Sequence, residues 1–599
     1  MQIKLLTHET NVEESPAFPP YFGENPLRSL LYLYRSDWHN IAASFGLYIV
    51  KHSPEWIRPL IFANVINILS QPANHNLWDL WLNGFILAIF ILQNVPTHYL
   101  HIRFISAASR NIEYHLRQSL MRQLHNLEIT YYFRQSSGAL QNKLLQDVES
   151  IQLLTFQLFQ LLPGACLTLA IAIGVVAWRA PWFLLFYLAT IPLAVLLIFT
   201  FRKPIAQRNE RLRQEFEQLA AYLIDAIRLI PIARAHGVQE TALQESSQRL
   251  RRLRNAGMKV DRINAIANGA AWITLQLFDV ICLVTAATLV YTGRGNIQVG
   301  DVILLTAYFD ELTNSIVQIG TLLPEMGRGF AAIRSVAEVL KCSEREDNEG
   351  KYRLNKLRGF LVFEGVSFTY PGKNQPSLAH ISFQVSPGET IGIVGPSGVG
   401  KSTLVNLVSG LLRPTEGQIL VDGRDLQKLD LRSYRRFLAV VSQETILFQG
   451  SVKENILYGI DASDEMLHQA IAEAGATEFV AALPEGLETF IGENGIQLSG
   501  GQRQRIAIAR ALVRQPRILI LDEATASLDM AAERSIQEAI EAMMGQRTIF
   551  LVAHRFSALR QVDRIIVLDN ARLVEMGTYN ELLQRQGLFA KLNSLQQSI

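Results

Sequence analysis

The segment of this chain with the clearest chemistry runs from Gly395 to Thr403. Its residues are Gly395, Pro396, Ser397, Gly398, Val399, Gly400, Lys401, Ser402 and Thr403, which match the pattern G-x-x-x-x-G-K-[ST] without a mismatch. An apolar stretch that predicts a buried strand precedes the segment, and a stretch that predicts a helix follows it. In such a context the glycines let backbone N–H groups surround phosphate oxygens, the lysine reaches the β- and γ-phosphates, and the serine hydroxyl ligates Mg²⁺. The segment therefore predicts a site for nucleotide phosphates, and we call it the phosphate loop.

Three further predicted strands in the second half end in polar side chains. Asp522 and Glu523 close the apolar stretch 518–521, Gln443 follows the stretch 440–441, and His554 follows the stretch 548–553. Asp522 suits contact with Mg²⁺, directly or through water, and Glu523 suits activation of an attacking water molecule.

A second anion site is predicted at the start of another helix. Ser499, Gly500, Gly501 and Gln502 open a helical stretch that continues to residue 514, and a helix N-terminus attracts negative charge. Tyr370 follows the strand predicted from residue 360. Its ring either stacks on an adenine or packs as an ordinary aromatic residue at a strand end.

The composition indicates a membrane protein. Mean hydropathy is +0.15, with 49% hydrophobic and only 18% charged residues, whereas a soluble protein carries about 25% charged residues. The net charge of +2 gives no indication of a nucleic-acid partner. Cys166, Cys282 and Cys342 lie far apart in the sequence, and we interpret them as reduced packing residues.

The apolar residues are concentrated before the phosphate loop. A span needs ~20 mostly apolar residues, and six candidates are predicted at 39–69, 82–105, 154–178, 182–201, 263–291 and 302–323. The polar tail 1–24 has no apolar core of a cleavable signal peptide. Residues 25–38 form an amphipathic, basic and aromatic stretch that predicts an interfacial helix.

Lysine and arginine are distributed unequally among the loops. The segments between spans two and three and between spans four and five are long and basic, whereas the opposite loops hold almost no positive charge. This bias places the long loops, both termini and the phosphate loop in the cytoplasm. The long loops show helical spacing and reverse near 131–138 and 226–236. These reversals are either simple turns or short helices that dock on the ATP-binding domain, and their length favours docking.

Several predicted spans contain ionisable residues. They are Lys51, His52, Glu55, Arg58, Asp279, Asp310 and Glu311. Such groups are costly in a bilayer, so they either form structural ion pairs inside the bundle or line a substrate cavity. Lys51 and Glu55 are spaced to pair on one helix face, and Lys51 and Asp310 are expected at similar depth.

In the order in which they occur, these motifs resemble those of the ATP-binding cassette transporter superfamily. Six spans ahead of one such cassette are similar to a half-transporter of the exporter class. The resemblance implies an all-α transmembrane domain at 39–342, a linker at 343–359, and an α/β phosphate-loop ATPase domain at 360–599 with a helical subdomain at about 444–514.

The resemblance also implies roles for individual residues. Tyr370 would stack on adenine, and Gln443 would sense Mg²⁺ and the γ-phosphate. Ser499 to Gln502 would close over ATP bound to the partner subunit. Glu523 would be the catalytic base and His554 a switch at the γ-phosphate. The remaining implied positions are Asp529 at a dimer interface and Glu493 in a segment that contacts the docking helices.

The function expected from this resemblance is ATP-driven export of an amphipathic substrate such as a lipid, peptide or drug-like molecule. Intact motifs favour a homodimer with two ATP sites, with a second half-transporter as the alternative partner. The polar first span favours cargo with a charged part. An ATP-gated regulator or channel and an importer are the alternative functions, and the plasma membrane or bacterial inner membrane is the expected location.

Overall fold

The computed structural model describes residues 18–294, 297–443, 445–492, 495, 498–522, 530–553 and 555–597. Two compact units divide the chain. One comprises the residues up to 125 and 138–342, and the other comprises 126–137 and 343–599. We call the first the helical unit and the second the cassette unit.

The helical unit consists of long helices together with two short ones. They are α1 (Pro26–Tyr34), α2 (Trp38–Ser70), α3 (Leu77–Leu92), α4 (Asn94–Asn126), α6 (Ser137–Asn142), α7 (Val148–Arg179), α8 (Phe183–Ala235), α9 (Gln239–Tyr291) and α10 (Val299–Leu340). A further helix, α5 (Ile129–Arg134), belongs to the cassette unit. Helix α10 packs against α2, α7 and α9, and α8 runs along α9.

Judged by length and composition alone, three helical segments of the described chain are long and apolar enough to cross a membrane. They are Leu77–Asn126, Ser137–Arg179 and Gln239–Tyr291. The first predicted span corresponds to α2, which carries Lys51, Glu55 and Arg58. Its apolar signal is therefore weaker, although its length of 33 residues exceeds what a bilayer requires.

Helix α2 contains a proline whose structural cost is offset by a neighbouring helix. Pro54 has no N–H, so the carbonyl of Val50 loses its usual donor four residues later. That carbonyl instead accepts hydrogen bonds from the side chains of Ser53 (2.7 Å) and Gln93 (2.8 Å). A carbonyl without a partner is costly at membrane depth, so Gln93 supports α2 from the junction between α3 and α4.

Helices α2 and α10 approach closely because a glycine faces the contact. A Cβ on Gly300 would lie 2.0 Å from the carbonyl oxygen of Ala63. The Gly300 N–H also donates to the side chain of Asn67 at 2.7 Å. This contact fixes the first turn of α10 to the last part of α2.

The cassette unit alternates strands and helices after the linker. The strands are β1 (Leu361–Phe368), β2 (Leu378–Val385), β3 (Thr390–Val394), β4 (Glu416–Val421), β5 (Arg424–Asp425), β6 (Leu438–Val441), β7 (Gly450–Ser451), β8 (Phe490–Ile491), β9 (Ile518–Asp522), β10 (Thr548–Val552), β11 (Arg564–Asp569) and β12 (Arg572–Gly577). The helices are α11 (Lys401–Val408), α12 (Leu431–Arg435), α13 (Val452–Ile456), α14 (Asp464–Glu473), α15 (Thr477–Ala481), α16 (Gly500–Leu512), α17 (Met530–Met543), α18 (Tyr579–Gln584) and α19 (Leu588–Gln597).

The central sheet of the cassette has six strands in the order β12-β11-β3-β10-β9-β6. Strands β6, β9, β10, β3 and β11 are parallel neighbours, and β12 is antiparallel at the edge. Strands β3, β9 and β10 are almost continuously apolar and buried, as expected for parallel strands covered on both faces. A four-stranded antiparallel sheet, β2-β1-β4-β5, packs its apolar side chains into the same core as α11 and β3.

The two predicted docking segments differ in the structure. The segment near 131–138 forms the short helix α5, which contacts the cassette within one compact unit. The second expectation is wrong in one respect: in the described backbone, α8 continues through Pro231 to Ala235 without forming a separate short helix. The chain reverses only at residues 236–238. Pro231 lies inside α8 and does not end it.

Candidate functional site: a phosphate loop at the carboxyl edge of the sheet

The carboxyl ends of four parallel strands bring the predicted site residues together. The register aligns Val552 of β10 with Ile393 of β3 on one side and with Asp522 of β9 on the other. Val441 of β6 pairs with Leu521 of β9, so Gln443 follows at the same edge. The phosphate loop begins directly after β3. Ligands of open α/β sheets bind outside this edge, so the topology places the phosphate loop, Asp522 and Gln443 around one crevice.

Backbone geometry in the phosphate loop requires glycine. Gly400 has a φ of 111°, and a Cβ at this position would lie 2.4 Å from the carbonyl oxygen of Ser377. Gly400 caps α11, whose first residue is Lys401. The N–H groups of this first turn have no acceptor within the helix and lie beside the loop, where they can donate to phosphate oxygens.

Lys401 and Ser402 differ in their surroundings, as their predicted roles require. The Lys401 side chain is buried, and its ammonium donates to the carbonyls of Gly395 (2.9 Å) and Pro396 (3.1 Å). Ser402 is exposed at the helix start. A hydroxyl in this position, together with the exposed Gln443 and the half-buried Asp522, forms an oxygen-rich donor set. Such a set fits Mg²⁺, which takes a few protein oxygens and completes its shell with phosphates and water.

Tyr370 lies beside the phosphate loop and is held by aromatic contacts. Its hydroxyl is 3.2 Å from the hydroxyl of Thr403. The ring meets Phe368 edge-on at a centroid distance of 4.9 Å, and Lys373 lies 5.7 Å from its centre. The ring therefore lies beside the phosphate loop, which is where stacking on an adenine would need it. The stacking role itself remains a prediction.

The glycine-rich start of α16 is built as a capped helix terminus. Ser499 accepts from the N–H of Gln502 at 3.3 Å, and the Gln502 side chain accepts from the N–H of Ser499 at 3.0 Å. This reciprocal pair fixes the helix start. Arg503 holds the preceding turn by donating to the carbonyls of Leu498 (2.9 Å) and Gly495 (3.3 Å).

Two residues that motif reasoning missed support the segment after Gln443. Arg510 donates to the carbonyl of Ile446 (2.9 Å) and to the side chain and carbonyl of Asn455 (2.9 and 2.8 Å). Asn455 is fully buried and also bonds both backbone groups of Phe448. Burial lowers the pKa of the Arg510 guanidinium. Only the position of Arg510 on the same helix as Ser499 hinted at such a role.

Four predicted residues lie outside the described part of the chain. They are Glu493, Glu523, Asp529 and His554. Their roles remain predictions from sequence. Asp522, which precedes Glu523, is described and ends β9.

The seven ionisable residues predicted in the spans, all of which the structure describes, include two close pairs of acidic and basic side chains. His52 Nδ1 lies 2.8 Å from Glu55 Oε2, and Arg58 Nη2 of α2 lies 3.8 Å from Glu311 Oε1 of α10. The expected pair of Lys51 with Glu55 is replaced by the pair with His52, and the Lys51 ammonium lies 5.6 Å from the ring centre of Tyr48.

The expectation that these side chains are enclosed by the bundle is only partly met. The side chains of Glu55 and Arg58 are 48% and 53% exposed in the single chain, whereas Glu311 is 24% exposed. Asp310 is also exposed, and Asp279 is half-buried. Because charges facing lipid are costly, the exposed groups are expected to face a polar space and not the acyl chains.

The fold and this crevice define a class: a helical membrane protein that carries its own phosphate-loop ATPase. Comparisons with known proteins agree. The model of the family described as "ABC transporter" matches residues 378–526, and that of the "ABC transporter transmembrane region" matches residues 41–316.

Similar proteins cover nearly the whole chain. A Chromobacterium violaceum protein named "ATP-dependent lipid A-core flippase" is 33% identical over 90% of this chain and 91% of its own length. A Dechloromonas aromatica protein of the same name is 32% identical over 96% of this chain and 97% of its own length. A solved structure titled "Structure of a bacterial Atm1-family ABC exporter with ATP bound" superposes with a TM-score of 0.79 and 27% identity, covering 93% of this chain and 98% of the other.

The chain therefore belongs to the ABC transporter family, with the transmembrane region and the ATP-binding domain fused in one polypeptide. It is an integral membrane protein of the exporter type, whose ATPase drives the export of an amphipathic substrate. The predictions of family, fold class and ATPase activity are confirmed.

Proposed function

We propose that two copies of this chain form an exporter or flippase for a lipid-like molecule with a charged head group. The supporting observation is the Arg58–Glu311 pair between α2 and α10, with exposed Glu55 and Asp310 beside it in an otherwise apolar bundle. By the rise of an α-helix, Arg58 lies roughly 18 Å from Ser70, the last residue of α2. Glu311 likewise lies roughly 18 Å from Val299, the first residue of α10. This depth is well inside a bilayer.

The relatives support the lipid part of this proposal. Their names specify lipid A-core, a lipid with a large polar portion. A charged chamber would accommodate such a head group, while apolar helix surfaces accommodate the acyl chains. The same seven residues, Lys51, His52, Glu55, Arg58, Asp279, Asp310 and Glu311, are the proposed chamber set.

The dimer follows from the composition of the cassette. One chain has one phosphate loop and one glycine-rich segment at Ser499–Gln502. If each ATP lies between a phosphate loop and a facing Ser499 segment, two copies supply two complete sites. Charges left exposed in the single chain, such as Arg58, would then face a chamber between copies.

Catalysis in this proposal rests on positioning and electrostatics. Lys401 and the N–H groups at the start of α11 bind the phosphates. Mg²⁺ bound by Ser402, Gln443 and Asp522 would neutralise phosphate charge. Glu523 orients and deprotonates the attacking water, and His554 contacts the γ-phosphate. The basic long loops support an orientation with the cassettes and both termini in the cytoplasm.

The proposal is tested by measuring Mg-ATPase activity of the purified chain in lipid nanodiscs, with and without added lipid A. Wild type is expected to hydrolyse ATP, to respond to lipid A, and to lose activity on Glu523→Gln. A chain that hydrolyses ATP but gives the same rate with lipid A, phosphatidylethanolamine or no addition would contradict the lipid part. Activity that survives Glu523→Gln would contradict the assigned base.

A further inference from the structure

A short two-stranded ladder joins the segment before α5 to the linker after α10. Leu127 and Arg345 are antiparallel partners. The N–H of Glu128 donates to the carbonyl of Glu344 at 2.9 Å, and the N–H of Glu346 donates to the carbonyl of Asn126 at 2.8 Å. Residues 126–128 and 344–346 are therefore joined by backbone hydrogen bonds, and we call the pair of segments the linker ladder.

The linker ladder is fastened to the cassette by one acid from each strand. Glu346 Oε2 lies 2.7 Å from Arg435 Nη2, and Glu128 Oε1 lies 3.7 Å from Arg413 Nη2. The Glu346–Arg435 pair is the stronger candidate, because it is short and its side chains are only 19% and 29% exposed. Charge-assisted contacts of this length are stronger than neutral hydrogen bonds.

Arg435 also holds the far end of the phosphate-binding helix α11. Its Nε donates to the carbonyl of Ser409 at 3.3 Å, and its Nη2 donates to the carbonyl of Gly410 at 2.7 Å. The neighbouring Tyr434, fully buried, donates its hydroxyl to the carbonyl of Val408 at 2.7 Å. Burial raises the pKa of Tyr434, so its hydroxyl stays protonated and remains a donor.

These contacts satisfy carbonyls that a helix end leaves without partners. A cation is also favourable there, because the C-terminus of a helix carries partial negative charge. Arginine is suited to the position because its planar fork can donate to several acceptors at once. The same guanidinium thus contacts the linker ladder and the two residues that directly follow α11.

Helix α11 connects this contact directly to the phosphates. It is eight residues long and begins at Lys401, so its two ends are roughly 12 Å apart. We propose that Arg435 is a positioning residue of the ATPase: it links the linker ladder to the phosphate-binding helix, so that nucleotide binding and linker position influence each other. The proposal depends on ATP binding but not on the identity of the transported molecule.

The test uses the full chain in lipid nanodiscs and the variant Glu346→Gln. This change removes the carboxylate at a partly exposed position and leaves the bonds of Arg435 to α11 in place, so the protein is expected to fold. The exposed Arg432→Gln on the same helix, α12, is the matched control. Two quantities are measured: the KM for ATP, and hydrogen exchange of peptides covering 344–354 with and without Mg-AMPPNP.

Wild type and Arg432→Gln are expected to show slower exchange in 344–354 when Mg-AMPPNP is bound. In Glu346→Gln this nucleotide-dependent protection should be lost, while the KM for ATP rises about fivefold, the lower end of ordinary coupling between sites, and kcat changes less than twofold. Both changes are required. Wild-type behaviour of Glu346→Gln in either measurement overturns the proposal.

A double-mutant cycle with Arg435→Gln separates coupling from simple destabilisation. Adding Glu346→Gln to Arg435→Gln should raise the KM no further, because the partner is already absent. Additive effects would overturn the link. The exchange measurement needs binding only, so it can succeed or fail independently of whether the chain moves a lipid.

Discussion

Phe133 of α5 and Tyr370 beside the phosphate loop lie edge to face, with ring centroids 6.0 Å apart and an interplanar angle of 71°. The two residues belong to the same compact unit although they are far apart in sequence. The hydroxyl of the same tyrosine contacts Thr403 of the phosphate loop. A helix between two membrane-crossing segments therefore contacts the aromatic residue expected to bind adenine.

This contact predicts that Phe133→Ala weakens ATP binding. An edge-to-face aromatic pair contributes about 0.5–1.5 kcal/mol, and Phe133 is 56% exposed, so we expect roughly a two- to fivefold increase in KM for ATP. Phe133→Tyr keeps the aromatic edge and should stay near wild type. An equal increase in both variants would show that the ring contact is not the cause.

Gly400→Ala is expected to abolish nucleotide binding. The added Cβ meets the Ser377 carbonyl at 2.4 Å, in addition to the unfavourable φ of 111°. Gly398 has a φ of 79° but open space where a Cβ would lie, so Gly398→Ala should weaken binding only by the backbone cost of about 1–2 kcal/mol. Titration with a fluorescent ATP analogue measures the affinity of both variants. Equal losses of affinity in Gly400→Ala and Gly398→Ala would contradict the steric explanation.

Gln93→Leu is expected to destabilise α2. It removes the donor at 2.8 Å from the Val50 carbonyl, which keeps only the bond from Ser53 at 2.7 Å, and the loss of one hydrogen bond costs about 0.5–1.5 kcal/mol. Thermal unfolding in detergent should begin a few degrees lower. Pro54→Ala restores the N–H that normally bonds Val50, so Gln93→Leu should have little effect in that background. The same loss in both backgrounds would rule out this explanation.

Reversing the Arg58–Glu311 pair tests the charged chamber. Arg58→Glu and Glu311→Arg should each reduce stimulation of the ATPase by lipid A. In the parent structure the two side chains lie 3.8 Å apart, so either single change brings two like charges together. The double reversal should recover most of the stimulation if the pair is structural. If the groups bind the head group individually, the double variant stays unresponsive, and basal activity distinguishes either result from misfolding.

Local patterns were sufficient to predict the strand, loop and helix that surround Lys401. The strand, glycine loop and Lys401 are contiguous in sequence, and parallel strands bring their carboxyl ends to one edge whatever the details of packing. Asp522 and Gln443 could be placed for the same reason. Three of the predicted spans, at 82–105, 154–178 and 263–291, followed equally from local apolar length.

Long-range side-chain choices could not be predicted. Arg435 bonds carbonyls 25 and 26 residues away, and nothing in its local sequence separates it from Arg432 or Arg436. Glu55 has two basic residues in reach on its own helix: His52, three residues before it, and Lys51, four residues before it. The side-chain rotamers in the packed helix decide in favour of His52.

The most direct test of ATP-driven transport is movement of a fluorescent lipid A between leaflets of proteoliposomes that contain only this chain. Wild type should accelerate movement when Mg-ATP is present, and Lys401→Ala should remove the acceleration because the buried ammonium no longer binds the phosphates. Equal rates with and without ATP, in a wild-type preparation that hydrolyses ATP, would contradict the transport of this class of lipid. Acceleration that persists in Lys401→Ala would contradict the role of the phosphate loop.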